Sequence, residues 1–375
     1  MNYSKDSFGI KWLTINTWIY SICFFCYNSL KKAIHKGGVF MLKLGVIGTG
    51  GITKQFIEAT QENGSWKLTS VFSRSLEKAE QFGHEFSKNV RGYRDLHQFF
   101  SEGDFDVVYI ASPNSLHFEQ SRQAILAGKH VIVEKPACSN PSEMKVLQRL
   151  LRRYNNVYYF EAARHFHEPN FLKIKETIKQ MDVIQGATLT YMKYSSKYDD
   201  FLTGNEPNVF SLNFSGGALQ DLGVYLIYDA VSWFGIPNSV SYKATKLRNG
   251  IDGKGVALLN YQDFTVTLNV GKTANSYLPS EVYGLKETIV MDNAADLTDI
   301  QLINGSEKQN LTQKSAVNPM TAEVAAFTSI LQKPLSLDNK QKMEDWLAVS
   351  VQVNRVIYDL RLSEKIIFRA DKEFR

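Results

Sequence analysis

Apolar and polar positions divide this chain into two textures. From residue 41 to about 160, short runs with little polar interruption (residues 44–47, 68–72, 107–111 and 130–133) alternate with segments whose apolar residues recur at helical spacing, as Ile52, Phe56, Ile57 and Ala59 do. Near-continuous apolar strands separated by amphipathic helices predict a parallel sheet covered on both faces, its ligand crevice outside the C-terminal strand ends. After Glu161 the pattern changes. Residues 186–194, 240–247 and 256–270 are rich in Thr, Val and Tyr, and Gln262-Asp263 reads as a hairpin tip. This predicts a mostly antiparallel sheet with one open face. A last amphipathic segment, around 342–360, predicts a helix that packs back on the first domain.

The first apolar run breaks into Gly48-Thr49-Gly50-Gly51-Ile52. A glycine turn between strand and helix lets backbone approach a pyrophosphate and aims a helix N-terminus at it. Thr53 stands where Gly or Ala would allow the tightest helix-to-strand contact, which predicts slightly looser packing. The predicted fold is therefore α/β: an N-terminal extension over 1–40, a Rossmann dinucleotide-binding domain over 41–160, an α+β substrate domain over 161–340 and a C-terminal helix over 341–375.

About 20 residues past such a turn, the end of the second strand reports which dinucleotide is preferred. Here Ser73 and Arg74 follow the strand, Lys78 comes one turn later, and no carboxylate is present. A carboxylate would accept from a ribose 2′-hydroxyl and repel a 2′-phosphate, whereas Ser and Arg can donate to the phosphate. The reading is NADP, with NAD possible; a merely solvated Arg74 is the plain alternative.

The other strand ends carry Ser112-Pro113-Asn114 with His117, and Glu134-Lys135-Pro136. Further on come Glu161 with Arg164, and residues 216–225 reading Gly-Gly-Ala-Leu-Gln-Asp-Leu-Gly-Val-Tyr. With these motifs in this order, the chain resembles the glucose–fructose oxidoreductase, inositol dehydrogenase and rhizopine catabolism family of nicotinamide-dependent oxidoreductases over roughly residues 41–360. The resemblance implies that Lys135 lies beside the reacting carbon and Glu134 against the nicotinamide ribose. It also implies that Asp221 and Tyr225 form the later catalytic pair and that Gly48, Gly50, Gly51, Ile52, Ser112, Pro113, Asn114, His117 and Arg164 contribute to holding the cofactor. It further implies a frequently cis peptide before Pro136, and a homodimer or homotetramer joined through the open sheet. Tyr225, where many members carry His, is similar to the branch of dimeric dihydrodiol dehydrogenases and NADP-dependent xylose dehydrogenases.

Hydride exchange between a carbinol carbon and nicotinamide needs a group that takes or gives the hydroxyl proton. A neighbouring ammonium favours a phenolate, so Lys135 is placed to activate Tyr225. Asp221, four residues earlier, would share a helix face with it and orient the lysine or hold a substrate hydroxyl. Whether the proton goes to Tyr225 or to Lys135 stays open. The implied substrate is a sugar, polyol or cyclic diol. Two other classes remain, a cofactor-binding regulator without turnover and a redox-neutral glycosidase. Alternate His165 and His167 match no zinc-site spacing, and no metal is expected.

Composition adds little: 44% hydrophobic and 22% charged residues are ordinary for a globular enzyme. Of the net charge of +5, residues 1–40 supply four with five lysines against Asp6, leaving +1 for the body. The basic balance is therefore no argument for nucleic acid, and none is expected as a partner. Three cysteines make no disulfide framework, and a reducing cytoplasm is expected. Residues 13–30 are uncharged but interrupted by Thr14, Asn16, Thr17, Ser21 and Asn28, which weakens a membrane reading. We expect translation to begin at Met41, with a disordered tail or an anchor as alternatives.

Overall fold

The computed structural model describes residues 41–373; the expectations for residues 13–30 and for a start at Met41 concern segments outside the described residues. The first half alternates as the hydrophobic pattern requires: β1 (Leu42–Ile47), α1 (Gly51–Asn63), β2 (Trp66–Phe72), α2 (Leu76–His84), β3 (Arg91–Tyr93), α3 (Leu96–Glu102), β4 (Val107–Ile110), α4 (Asn114–Leu126), β5 (His130–Glu134), α5 (Pro141–Arg153) and β6 (Tyr159–Ala162). The strands form one parallel sheet in the order β3-β2-β1-β4-β5-β6. The order reverses beside β1, so the C-terminal ends of β1 and β4 open a crevice between them. All four residues of β4 are buried, as a strand covered on both faces must be.

Beyond β6 come α6 (Pro169–Gln180), β7 (Gly186–Met192), α7 (Tyr198–Leu202) and α8 (Val224–Phe234). A second sheet is completed by β8 (Ser239–Lys246), β9 (Asp252–Asn260), β10 (Thr265–Gly271), β11 (Ser280–Tyr283), β12 (Glu287–Met291), β13 (Ile300–Asn304) and β14 (Glu307–Asn310). Its order is β14-β13-β12-β11-β7-β10-β9-β8, antiparallel throughout except for the parallel pair β7–β10. The β9–β10 hairpin turns at Gln262-Asp263, where Tyr261 N donates to Phe264 O at 2.9 Å. One face packs on α8 through Ala257, Leu259, Val266 and Leu268, while Val256 and Leu258 on the other face are 42% and 39% exposed.

Two helices cross the expected boundaries. α9 (Thr321–Leu331) buries Val324, Phe327 and Ile330 in the core of the first sheet, and Trp66 Nε1 donates to Thr328 Oγ1 at 2.7 Å. The last long helix, α10 (Leu337–Ser363), begins earlier than its apolar pattern suggests and serves both cores. Met343 and Trp346 pack with the first, whereas Val353, Val356, Ile357 and Leu360 pack with the second. Among the described residues no helix is long and apolar enough to cross a membrane.

Candidate functional site

The glycine turn contains glycines of two kinds. Gly48 has φ +110°, and a Cβ there would stand 2.6 Å from Ala111 O, so it lets β1 and β4 converge. A Cβ on Gly50 or Gly51 would meet nothing within 4 Å; the space above the α1 N-terminus is open. The first turn of α1 carries no acidic residue to satisfy its amides, and Ile52, 40% exposed, borders the same space. This is the cradle a pyrophosphate requires, and the residues present fit a dinucleotide. Thr53, expected to loosen the packing, is fully buried against β1, its hydroxyl near Gly48.

Thr49, Ser73, Arg74, Ser75 and Lys78 line one cavity of about 430 Å³ beside this turn. Ser75 caps α2 by accepting from Lys78 N at 3.3 Å. Arg74 and Lys78 stand exposed, and the lining contains no carboxylate.

The ends of β4 and β5 are tied together by His117. Its Nδ1 lies 2.9 Å from Pro136 O and its Nε2 2.8 Å from Ser112 O. Burial pushes the imidazole pKa down, and the two carbonyls only partly offset this. Pro113 caps α4, and the peptide before Pro136 is cis. Glu134 is buried and accepts from Tyr109 Oη at 2.5 Å; burial raises its carboxyl pKa against the pull of Lys135.

The opposite wall is residues 216–225. A Cβ on Gly216 would clash with Val209 backbone, and Gly217, at φ +106°, abuts Asp252. Asp252 accepts from Leu219 N at 2.7 Å and from Tyr242 Oη at 2.9 Å, which holds the segment in place. Residues Leu219–Gly223 form a π-helical turn that runs into α8, so Asp221 and Tyr225 do not sit on one regular α-helix as their spacing predicts. Asn114 Nδ2 donates to Asp221 Oδ1 at 2.8 Å and to Ser215 O at 2.9 Å, and Lys135 Nζ donates to Asp221 O at 3.1 Å. These bonds join the strand ends of the first sheet to the 215–221 segment across the crevice. Lys135 Nζ lies 4.8 Å from the centroid of the Tyr225 ring, over its face. The ammonium therefore meets the phenol through its π-face, not by a hydrogen bond to the hydroxyl.

Arg164 sits between two acids and the Tyr225 ring. Its guanidinium pairs with Glu168 at 3.0 Å and with Asp296, and sits 5.8 Å from the Tyr225 ring, outside the lining of the cofactor crevice. Two of its donors go to Glu168 and Asp296, and it buttresses Tyr225. Burial pushes Glu168 up to about 7 despite this partner. His165 packs 4.8 Å from the Tyr225 ring and His167 lies between Phe327 and Trp346, so the two face different surroundings.

One residue the motifs do not mark completes the site. Lys272, just past β10 and buried, forms an ion pair with Asp221 and donates to Val209 O at 3.2 Å. A lysine ending an apolar strand, Gly271-Lys272, is the one sequence signal for it. Ser112, Asn114, Glu134, Lys135, Asp221, Tyr225 and Lys272 border a single cavity of about 490 Å³, the size of an ordinary small-molecule site.

A glycine-turned parallel sheet whose strand ends carry a lysine that meets an aspartate on the π-turn and a tyrosine on α8 defines a nicotinamide-dependent oxidoreductase. Residues 42–162 match the model of the oxidoreductase family with an NAD-binding Rossmann fold, Gfo/Idh/MocA. The chain belongs to this family. It is 36% identical to the uncharacterized oxidoreductase YgjR of Escherichia coli, over 88% of this chain and 99% of that protein. It is 32% identical to the NADP(+)-dependent scyllo-inositol 2-dehydrogenase IolU of Bacillus subtilis, over 88% of this chain and all of that protein. In fold it is similar to the 3-ketoreductase KijD10 of Actinomadura kijaniata, solved with NADP and TDP-benzene, at a TM-score of 0.75 and 19% identity over 86% of this chain and 98% of that one.

Proposed function

We propose that the protein is an NADP-dependent dehydrogenase that oxidises a carbinol carbon of a sugar, polyol or cyclic diol, and reduces the corresponding carbonyl in reverse. The observation that carries this reading is the Lys135–Tyr225–Asp221 cluster in the crevice below the glycine turn. Nicotinamide, when bound, supplies the hydride acceptor. Gly48, Gly50, Gly51 and Ile52 would face its pyrophosphate, Ser73, Arg74 and Lys78 the adenosine 2′-phosphate, and Ser112, Pro113, Asn114, His117 and Glu134 the nicotinamide end. The absence of a carboxylate after β2 supports NADP, and NADP figures in the names of relatives in sequence and in fold.

In this reading Lys135 does not take the proton. Loss of solvent opposes its charge, but Tyr225 once ionised, together with Glu134 and Asp221, outweighs that and raises its pKa above the usual lysine value. It stays an ammonium at neutral pH and stabilises negative charge developing nearby. The Tyr225 hydroxyl is then the group that exchanges a proton with the substrate oxygen. Asp221 orients Lys135 through its backbone carbonyl, while its carboxylate belongs to Asn114 and Lys272. We also infer a homodimer through the open sheet face, on the exposure of Val256 and Leu258.

The test is absorbance of the reduced cofactor across a panel of aldoses, polyols and cyclic diols, each with NADP⁺ and with NAD⁺. The expected result is turnover of some of them with NADP⁺ preferred. Tight NADPH binding with no net reduction across the panel would move the assignment to a regulator or a redox-neutral enzyme.

A further inference from the structure

The crevice has a cationic wall that proton transfer does not use. β7 and β10 are the parallel pair of the second sheet, so their C-terminal ends emerge side by side. Lys193 N donates to Gly271 O at 3.0 Å, and Ser195 N donates to Lys272 O at 2.9 Å. Lys193, Ser195, Ser196 and Lys272 border the same cavity as Lys135 and Tyr225.

The charges there do not cancel. Lys272 is neutralised by Asp221, and Lys135 faces Glu134. Asp199, the acid nearest in sequence to Lys193 on that strand exit, accepts from Tyr194 Oη at 2.6 Å. Among the described residues Lys193 forms no ion pair with any carboxylate. An ammonium carries three donors; Lys272 directs one at Asp221 and one at Val209 O, which leaves a third. A lysine on a convex surface would simply be solvated. Lys193 is exposed but borders a concave site, where an uncompensated charge attracts an anion.

We propose that the substrate carries an anionic group, a carboxylate or a phosphate ester, seated between Lys193 and the remaining proton of Lys272, with its carbinol carbon toward Lys135 and Tyr225. The proposal rests on the dehydrogenase reading and narrows its substrate class to polyhydroxy acids or polyol phosphates. Lys193 is the specificity-determining residue.

The experiment titrates the full chain, saturated with NADPH so that the Arg74 cavity is filled, with three matched alcohols: glucitol, gluconate and glucitol 6-phosphate. Calorimetry on wild type and on Lys193→Gln reads the affinities. At least one acid should bind more tightly than glucitol, and Lys193→Gln should weaken that acid by roughly tenfold, one charge-assisted bond, while leaving glucitol unchanged. Which acid responds separates carboxylate from phosphate. Equal affinity for all three, no measurable binding of either acid, or an acid affinity untouched by Lys193→Gln would overturn the proposal. NADP⁺ reduction measured on the same proteins separates the two readings. Oxidation of neutral polyols that Lys193→Gln leaves intact overturns the anion subsite and keeps the dehydrogenase. Acid binding that depends on Lys193 without any cofactor reduction keeps the subsite and refutes the dehydrogenase.

Discussion

Arg74 shows how far a single residue carries a cofactor assignment. It is exposed at the end of β2 in a cavity with Thr49, Ser73 and Lys78, without a carboxylate to compete for its donors. One charge-assisted bond to a phosphate contributes about 1.5–3 kcal/mol, so Arg74→Ala is expected to weaken NADPH by about 10- to 150-fold while NADH binding barely moves. Titrating both cofactors checks this, and equal losses would remove the 2′-phosphate from the account. Arg74, Lys135 and Tyr225 were legible because their positions follow from strand ends and motif order. Lys272 was not: its partner Asp221 is 51 residues away, and pairing across a crevice leaves no local spacing to read. Arg164 was named from its motif position, and its acid partners, Glu168 one turn on and distant Asp296, were not legible.

At the scale of elements, the strand–turn–helix unit β1–α1 separates packing from binding. Alanine at Gly48 would need φ +110° and would press on Ala111 O, backbone that cannot move without opening β1 from β4. A substitution with that conflict costs on the order of 1–3 kcal/mol. Alanine at Gly50 meets nothing in the protein. Thermal melts should therefore show Gly48→Ala markedly destabilised and Gly50→Ala close to wild type, with NADPH affinity reduced in Gly50→Ala. Equal melting losses in the two would make Gly50 a packing glycine. Periodicity revealed β4 and β5 because burial on both faces leaves an apolar run. It did not mark α9, whose buried face belongs to the first sheet although the helix lies beyond the second in sequence. The π-turn at Leu219–Gly223 was invisible for a similar reason: it is imposed by the Asp252 and Asp221 bonds of the folded protein, not by local propensity.

Over the whole molecule, function depends on two sheets meeting at one crevice. Asn114 and Lys135 reach from the strand ends of the first to Asp221 on the π-turn beside the second, and α10 packs into both cores. The other face of the second sheet is free to join a second copy, with Leu258 39% exposed on it. Light scattering should give twice the chain mass for wild type and the single-chain mass for Leu258→Glu; a monomeric wild type would refute the dimer. The sequence pattern shows that this face is open, not what covers it, because a partner surface leaves no period of its own. The central claim is that Tyr225, held against the Lys135 ammonium, exchanges the proton that accompanies hydride transfer. The most direct measurement is turnover by Tyr225→Phe on the best substrate, with NADPH affinity measured on the same sample. Loss of a proton-transfer group should lower kcat by about 10²–10⁴ with cofactor affinity unchanged. A Tyr225→Phe protein that turns over like wild type would contradict the account.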